Sequence, residues 1–411
     1  TVQGRFLDAP AGDNVQYIAD AMIQAQALFH TAGCYSLSEK GILEFARIQF
    51  ETGEMPALCP SDIYMNMPDY AMLWTVWLRR HYLYTGNFKF LQSCLPNLEK
   101  LFSYYASMGN PGTAVLDSLD EKCNAYCFLD HGPIDRRGIV TGLNALYSRA
   151  LLNGAWLFRE GRDEGRALQL ERRAHTVAET LRTIAWDEKA GLFADSVYQD
   201  AMSENHAWQT NVLAAYGGVT DAVTCNRIFD KLFTDSEPYE TLAAGSHNNP
   251  YFKYFVLEAA FALERREWAL NLLEYYWGSM LKEGATTWWE MFDPDDMTGT
   301  DLPIMSLCQG YAVSPNIFLC TEVAGLRPAK PGFTTAYFNP LPGPSVKHVK
   351  AHIPTVCGLI WLEWSLHENG EFEVSINANY PLEIIPVLAP GIAESATIRV
   401  NEEVNILAES G

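Results

Sequence analysis

The chain has 411 residues, of which 48% are hydrophobic and 19% charged, so it is globular and long enough for one large helical barrel or two domains. Its formal net charge of −21 argues against nucleic acid and anionic membranes as partners, because both select a basic surface. The charge suits a neutral substrate, although an ordinary acidic surface explains it equally well.

A helical pattern is predicted for most of the chain from about residue 18 to residue 323. Apolar residues recur there at three- and four-residue spacing, and several of the segments end in Gly, a common residue at helix C-termini. We predict about eleven helices, at residues 18–33, 37–53, 70–86, 90–109, 139–160, 165–187, 204–217, 221–233, 251–264, 266–281 and 306–323.

Paired helices joined by loops rich in Pro, Gly, Asp and Asn favour an α/α toroid, a barrel in which inner helices alternate with outer ones. In such a barrel the active site lies in the loops at one mouth. An α-solenoid is the alternative architecture, but the chain has no fixed sequence period to support it.

The composition changes at about residue 326, where a Pro-rich segment is followed by alternating apolar and polar residues. The runs LIWLEWSL and EFEVSINA, separated by HENG, predict a β-hairpin. We therefore expect a mainly α chain with two domains, an α/α toroid at residues 1–325 and a small antiparallel β-sandwich at residues 326–411.

The nine cysteines are scattered and odd in number, which does not resemble a disulfide framework and mildly favours a reducing compartment. Cys123 and Cys127 are four residues apart, but no second pair or His cluster completes a zinc site. No apolar run is long enough for a membrane span, and TVQGRF is not a signal peptide. Without an initiator Met the chain looks like a mature or excised piece, so export stays open.

Two acidic motifs carry the chemical information. Asp8, Asp13 and Asp20 recur at +5 and +12 in a weakly charged segment, and Glu290 ends the segment GATTWWE far downstream. Two carboxylate sites on one helical scaffold are what glycosidic bond cleavage requires. The plain alternative is structural, since an Asp just before a helix is more often an N-cap than a catalyst.

The segment FLDAPAGDNVQYIADA resembles the catalytic segment of glycoside hydrolase family 78, the inverting α-L-rhamnosidases, which reads roughly Asp-Cys-Pro-x-Arg-Glu-x-Leu-Gly-Trp-x-Gly-Asp-Ala. The family's three acids fall on Asp8, Asp13 and Asp20. GATTWWE resembles the family's Gly-Ala-Thr-Thr-x-Trp-Glu almost completely. Three more segments resemble family segments in the same order, so the resemblance covers essentially the whole chain: FLDHGPIDRRGIVTGLNALY, SLCQGYAVSPNIFL and AGLRPAKPGFTTAYFNPLPG.

The resemblance implies that Asp13 is the general acid and Glu290 the general base of an inverting, exo-acting glycosidase with no organic cofactor and no metal. Inversion needs the two carboxyls about 6.5–9.5 Å apart, so that a water fits between. The acid must hold a proton near neutral pH, which burial beside the other acids would favour. Roles in binding the sugar, as hydrogen-bonding or stacking partners, are implied for Asp8, Asp20, Tyr17, Trp74, Asp130, His131, Trp288, Trp289 and Gln309.

Several of these residues have structural alternatives. Trp288 and Trp289 are consecutive and point in different directions, so one of them is expected in the core. Asp130 is as compatible with a turn as with a site. His206 and Trp208 are interpreted as helix-start and core residues, and His247 as either a turn residue or part of the mouth.

The chain also departs from the family pattern. Asp13 is one methylene shorter than the usual Glu, and Gly12 stands where the family has Arg. Tyr17 and His131 stand where Trp is usual, and Gln309 where His is usual. These changes put the identity of the sugar in doubt more than catalysis itself.

The resemblance implies that the toroid at residues 1–325 is an (α/α)6 barrel of six helical hairpins, and eleven helices rather than twelve would fit such a barrel if its first helix lies upstream of Thr1. We therefore expect an α-L-rhamnosidase-like hydrolase that acts on a rhamnose-containing glycoside or polysaccharide. Two alternatives stay open: the same barrel acting on another α-linked sugar, and a degenerate relative that binds carbohydrate without turnover. A helical scaffold for protein partners would leave both motifs unexplained. A homodimer is compatible with the sequence.

Overall fold

The computed structural model describes residues 4–10, 12–233, 239, 242, 248–295, 306–401 and 403–405. His247 lies outside the described residues. The α-helices within them are Ile18–Thr31, Ser36–Ile48, Pro68–Thr85, Phe88–Met108, Leu119–Cys123, Thr141–Glu160, Glu164–Ile184, Trp208–Tyr216, Ala222–Leu232, Lys253–Ala262, Arg266–Lys282, Ser314–Phe318 and Pro390–Ala393.

Successive helices alternate between fully buried and one-sided. Helix Thr141–Glu160 buries 15 of its 20 residues, whereas Glu164–Ile184 buries six of 21. Helix Trp208–Tyr216 buries eight of nine, whereas Ala222–Leu232 buries three of 11. A helix that is buried on all sides lies inside a layer of other helices, and a helix with one apolar stripe lies outside it. Each pair is therefore a hairpin with an inner and an outer member.

The inner helices pack on one another and carry the loops that shape the site. Helix Trp208–Tyr216 contacts Thr141–Glu160 on one side and Lys253–Ala262 on the other. Each of them also packs on the outer helix that follows it in the chain. This inner and outer arrangement is the α/α toroid that the sequence predicted.

The helix predicted at 306–323 is wrong as a single element. Gly310–Val313 is a turn of 3₁₀ helix, Ser314–Phe318 is α-helical, and Leu319–Val323 is π-helical. Gln309 and Gly310 direct their N–H groups to carbonyls of distant segments, at 2.9 and 2.7 Å, so the backbone there cannot form a helical ladder.

The second helix ends at Ile48, five residues before the glycine predicted as its end. Gly53 instead closes a tight turn by donating its N–H to Phe50 O at 2.9 Å. Its φ is +100°, and a Cβ there would meet Lys100 O at 2.1 Å, so both the conformation and the space require glycine.

The C-terminal strands confirm the predicted hairpin and add parallel pairs. Leu359–Leu366 pairs antiparallel with Phe372–Ala378. Phe372–Ala378 pairs parallel with Ala396–Val400, and another parallel pair lies in a three-stranded sheet, so the antiparallel prediction holds only for most pairs. The strands of the two C-terminal sheets are Leu326–Pro328, Thr335–Phe338, His348–Pro354, Leu359–Leu366, Phe372–Ala378, Glu383–Pro386, Ala396–Val400 and Glu403–Asn405.

Short strands also occur among the helices and order the loops between them. Ser196–Tyr198 pairs antiparallel with Ile139–Val140 and with Ala201–Met202, and Trp186–Asp187 pairs with Leu192–Phe193. The helix predicted to start at residue 204 therefore starts only at Trp208, and buried Trp208 is a core residue as expected.

The chain divides into two compact units. One comprises Thr1–Gln24, Glu39–Arg79 and Lys89–Ala312, and the other comprises Ala25–Ser38, Arg80–Phe88 and Val313–Gly411. The boundary predicted between residues 325 and 326 stays a prediction. In the described part of the chain, no helix is long and apolar enough to cross a membrane.

Replacing buried Asn144 by Leu is expected to lower the free energy of unfolding by roughly 2–4 kcal/mol, because three hydrogen bonds to buried backbone are lost together. The side-chain amide of Asn144 accepts a hydrogen bond from Leu116 N at 2.7 Å and donates to Leu116 O at 2.9 Å and to Val140 O at 3.0 Å. Urea unfolding followed by circular dichroism measures the change. The control Gln169→Leu, on the exposed side of the neighbouring outer helix, is expected to shift stability by less than about 0.5 kcal/mol. Equal effects of the two changes would contradict the assignment.

Candidate functional site

The first acidic motif forms a closed loop followed by a helix. Asp8 N donates to Val15 O at 3.0 Å and Ala9 N donates to Asp13 O at 3.2 Å, which closes the loop. Ile18 N then donates to Ala57 O at 3.0 Å as the first long helix begins. The loop leaves Asp13 exposed at its tip and buries Asp8 at its base.

The downstream motif pairs with the segment that begins at Ser306. Gln309 N donates to Trp288 O and Glu290 N donates to Ser306 O, each at 2.9 Å. Ser306 N in turn donates to Glu290 Oε2 at 2.9 Å. Backbone on both sides thus fixes the position and the orientation of the Glu290 carboxylate.

Gln309 and Gly310 join the two motifs. Gln309 Nε2 donates to Asp8 Oδ1 at 2.6 Å, and Gly310 N donates to Asp8 O at 2.7 Å. Gln24 Nε2 reaches Leu7 O at 3.0 Å, and a Cβ on Gly310 would lie 2.3 Å from that nitrogen and 2.7 Å from the backbone Leu7 O. Only glycine allows this approach, so the residue after Gln309 is part of the junction.

A cavity of about 300 Å³ opens where the motifs meet, a size that fits one small ligand. Carboxyls from both motifs share it with a wall of aromatic and thioether side chains. Its lining residues are Asp8, Asp13, Tyr17, Asp20, Met65, Met67, Tyr70, Tyr126, Phe128, His131, Tyr251, Glu290 and Tyr311.

Asp8 and Asp20 form a buried acid pair. Burial, and then the neighbouring Asp20, raise the pKa of Asp8 far above its ordinary value, and burial also raises the pKa of Asp20. Two hydrogen-bonded carboxyls in a desolvated site cannot both ionise, so the pair retains one proton near neutral pH. Asp20 Oδ2 is buried and has no hydrogen-bond partner among the described residues.

The prediction that Asp13 is buried beside the other acids is wrong. The side chain is exposed at the loop tip, whereas Asp8 and Asp20 are 7% and 3% exposed. The reason is the closed loop, which turns its base toward the protein interior and its tip toward the cavity opening. The like-charge and desolvation effects therefore act on the two outer acids of the motif.

Interlocking aromatic rings form the cavity wall. Tyr70 packs on Tyr17 at 6.2 Å, on Phe128 at 6.1 Å and on Tyr251 at 6.4 Å between ring centroids, and Tyr251 packs on Tyr311 at 5.6 Å. Burial followed by the nearby acids raises the pKa of Tyr17 to about 12, and burial raises the pKa of Tyr70, Tyr251 and Tyr311 well above the ordinary value of a tyrosine. The phenols therefore stay protonated and offer O–H donors as well as ring faces.

A buried carboxylate holds the loop that supplies part of this wall. Asp69 Oδ2 accepts from Leu129 N at 2.8 Å and Oδ1 accepts from Phe128 N at 3.4 Å, while burial raises the pKa of Asp69 to about 6. Leu129 has a φ of +55°, a conformation that needs such support. The loop consequently turns Phe128 and exposed His131 into the cavity.

Asp130 was a candidate sugar ligand, but it does not line the cavity. It is 1% exposed, and its oxygens accept from Gln209 Nε2 at 2.9 Å and Asn249 Nδ2 at 3.5 Å. Asn249 Oδ1 accepts from the N–H of Tyr251 at 3.0 Å, so this cluster orders the wall from behind.

The tryptophans are the main correction to the predicted sugar contacts. Trp74 has no exposed surface and donates Nε1–H to Ile42 O at 3.3 Å, because it sits on the inner face of a buried helix. Trp288 and Trp289 are half-buried and lie outside the described lining, and Trp289 packs on Phe292 at 5.5 Å. The prediction that one of these two tryptophans lies in the core is therefore wrong.

The structure brings six predicted residues into the cavity: Asp8, Asp13, Tyr17, Asp20, His131 and Glu290. Gln309 does not line it and acts through its bond to Asp8. Sequence reasoning missed seven lining residues: Met65, Met67, Tyr70, Tyr126, Phe128, Tyr251 and Tyr311. Phe128 and Tyr311 lie in two of the segments that resemble family segments. Their position there was the sequence feature that could have identified them as lining residues.

No group of His, Cys, Asp or Glu side chains within the described ranges is placed to hold a metal ion. The nine cysteines are all free thiols.

Two family models match the chain. The model of the bacterial α-L-rhamnosidase six-hairpin glycosidase domain matches residues 1–302, and the model of the bacterial α-L-rhamnosidase C-terminal domain matches residues 325–387. An α-L-rhamnosidase of Streptomyces avermitilis is 29% identical over 98 residues, which are 23% of this chain and 9% of that protein.

Solved structures share the fold. The GH78 family rhamnosidase of Bacillus sp. GL1 has a TM-score of 0.85 and 22% identity, over 98% of this chain and 41% of that chain. The rhamnosidase of Klebsiella oxytoca with rhamnose bound has a TM-score of 0.66 and 20% identity, over 77% of this chain and 60% of that chain. The chain thus spans less than two thirds of these relatives, and at such identities the likeness shows the fold alone.

Asp8→Asn is expected to change how stability depends on pH. A carboxyl whose pKa is raised by folding contributes stability below its ordinary pKa and loses that contribution as the pH rises toward the raised value. The neutral amide keeps an oxygen for Gln309 and carries no such penalty. The unfolding free energy of the variant relative to the wild type should therefore increase by roughly 1–4 kcal/mol from pH 5 to pH 8. Urea unfolding at both pH values measures it, and parallel pH profiles would contradict a raised pKa at Asp8.

Proposed function

Because the chain belongs to the bacterial α-L-rhamnosidase six-hairpin glycosidase family, we propose that it hydrolyses terminal α-linked L-rhamnose with inversion of the anomeric carbon. The observation that carries this proposal is that Asp13 and Glu290, from opposite ends of the barrel sequence, line one cavity. Hydrolysis with inversion requires two carboxyls on opposite sides of the scissile bond.

In the proposed reaction, Asp13 gives its proton to the glycosidic oxygen as the bond to the anomeric carbon breaks. A water attacks that carbon from the opposite face, and Glu290 takes the proton that the water loses. The Ser306 N–H on Glu290 Oε2 supports this role, since it fixes the carboxylate that must point at the water. The exposed loop tip supports the role of Asp13, because a leaving group departs toward solvent.

The buried acid pair is proposed to bind the sugar ring. A pair that holds one proton presents both an O–H donor and carboxylate acceptors, which matches hydroxyls that donate and accept. Asp20 Oδ2, buried and without a partner among the described residues, is the acceptor that a sugar hydroxyl would satisfy. The rings of Tyr70, Tyr251 and Phe128 would cover the apolar C–H face and the methyl group of a 6-deoxy sugar.

The departures from the family pattern are compatible with this function. Gln309 still supplies a hydrogen-bond donor to Asp8, at 2.6 Å, where the family has an imidazole. A shorter acid at position 13 needs the backbone to lie closer to the substrate, since an error of about 1 Å costs about 100-fold in rate. The second candidate function, sugar binding without turnover, is favoured by that shorter side chain.

Hydrolysis of a panel of 4-nitrophenyl glycosides, with the α-L-rhamnoside first, tests the two assignments. We expect release from the rhamnoside, and a fall in kcat of about 100-fold or more for Asp13→Asn and for Glu290→Gln, because each removes one proton-transfer group. The matched controls Asp62→Asn and Glu283→Gln change exposed carboxyls outside the cavity and should keep kcat within about twofold.

Two results would count against the proposal. Full activity of Glu290→Gln would show that Glu290 is not the general base. Sugar binding by a correctly folded wild type, without release from any glycoside, would favour the non-catalytic alternative. Release from another α-glycoside alone would keep the mechanism and change the sugar.

The stereochemistry can be tested separately. Proton NMR during early hydrolysis should show β-L-rhamnose before the equilibrium mixture, because a single displacement inverts the α-linkage. Initial formation of the α-anomer would exclude the assignment of Glu290 as a base that activates water.

A further inference from the structure

A lysine is buried behind the aromatic wall of the cavity. Lys253 is the first residue of helix Lys253–Ala262 and is 2% exposed. Burial lowers the pKa of Lys253 to about 7, although nearby Asp130 and Asp293 raise it. A buried cation at the N-terminal end of a helix is costly, because desolvation and the helix dipole both disfavour its charge. Such a cost persists mainly where the group has a role in function, and the acid–base mechanism does not use Lys253.

The ammonium of Lys253 holds the two asparagines that precede the wall residue Tyr251. Nζ donates to Asn248 Oδ1 at 2.7 Å and to Asn249 O at 3.0 Å. Nζ also lies over the ring of buried Tyr276, 4.2 Å from the ring centroid. Because Tyr276 OH donates to Asn248 O, the lysine and the tyrosine together fix both the side chain and the backbone of Asn248.

Asn249 connects this anchor to the wall. Its Oδ1 accepts from the N–H of Tyr251 at 3.0 Å, and its Nδ2 donates to Asp130 Oδ1 at 3.5 Å. The ring of Tyr251 packs on Phe128 at 6.0 Å and on Tyr311 at 5.6 Å between centroids. The position of Asn249 therefore affects the ring on which the shape of the wall depends.

We propose that Lys253 is a positioning residue, which fixes the ring of Tyr251 against the bound sugar through Asn249. The proposal rests on the proposed glycosidase function and adds to it a residue that acts on the substrate only through others. An ammonium forms stronger hydrogen bonds than a neutral donor and therefore holds the two asparagine oxygens firmly. A ring that is fixed before the sugar arrives loses little freedom on binding, so loss of Lys253 should weaken binding more than catalysis.

The test compares Lys253→Met with the wild type on 4-nitrophenyl α-L-rhamnoside. Methionine is similarly long and unbranched but removes the charge and its donors, so it relieves the cost of a buried cation while it releases both asparagine oxygens. We expect KM to rise by about three- to tenfold and kcat to stay within about twofold, because binding alone depends on the ring. A fall in kcat at unchanged KM would overturn the proposal.

Two control variants separate this role from general effects. Lys282→Met makes the same substitution at an exposed lysine, and Asn144→Leu removes other buried hydrogen bonds to backbone. Both should keep KM within about twofold. A rise in KM for Asn144→Leu equal to that for Lys253→Met would reduce the effect to lost stability and overturn the positioning role. If Lys253→Met does not fold, Lys253→Gln, which keeps a polar side chain, takes its place.

A double-mutant cycle with Tyr251→Ala tests the route from the lysine to the sugar. If Lys253 acts through the Tyr251 ring, adding Lys253→Met to Tyr251→Ala should change KM by less than about twofold, because the ring it positions is absent. A further rise as large as in the wild-type background would overturn this route.

Failure of the proposed function is distinguishable from failure of the positioning role. Amide hydrogen exchange of the free protein, followed by mass spectrometry, requires neither a substrate nor the Tyr251→Ala variant. The peptide that contains Tyr251 should exchange about threefold faster or more in Lys253→Met, and at the wild-type rate in Lys282→Met. Unchanged exchange in Lys253→Met would overturn the positioning role. Faster exchange in a protein that releases nothing from any rhamnoside would support that role and count against the glycosidase assignment alone.

Discussion

The hydrogen bonds from Gln309 and Gly310 to Asp8 connect the beginning of the helical domain to its end. At 2.6 and 2.7 Å they fix both the side chain and the backbone of Asp8. The same short segment pairs with Trp288 and Glu290, so one strip of backbone positions carboxyls separated by almost 300 residues. These contacts hold Asp8 and Glu290, which lie on separate loops, at one cavity.

The junction also decides the electrostatics of the site. It buries Asp8 beside Asp20, where desolvation disfavours a second negative charge and leaves a proton shared between the two groups. In a chain with a formal net charge of −21, this local device keeps the bottom of the cavity from being wholly anionic. A buried acid pair costs stability, and functional sites are where such a cost persists.

The aromatic wall depends on a second set of polar groups behind it. Asp69 holds the backbone of Phe128 and Leu129, and Asp130 with Asn249 orders the segment that carries Tyr251. Asp130, a candidate site residue in the sequence, thus lies behind the wall together with Asp69, and both position the wall. Rings locked in this way lose little conformational freedom when a ligand binds, which favours affinity.

The sequence by itself determined the elements whose signal is local. Helical periodicity, the hairpin around HENG and the two acidic motifs each depend on neighbouring residues, and the motif order was enough to identify the family. Tertiary structure alone decided which acids are buried, because the spacing of Asp8, Asp13 and Asp20 does not reveal that the loop closes between Asp8 and Val15. It also decided that Trp74 lies in the core and that Tyr70, Tyr126 and Tyr251 line the cavity. Whether an aromatic ring faces a core or a cavity depends on its partners from distant segments, and no local pattern records them.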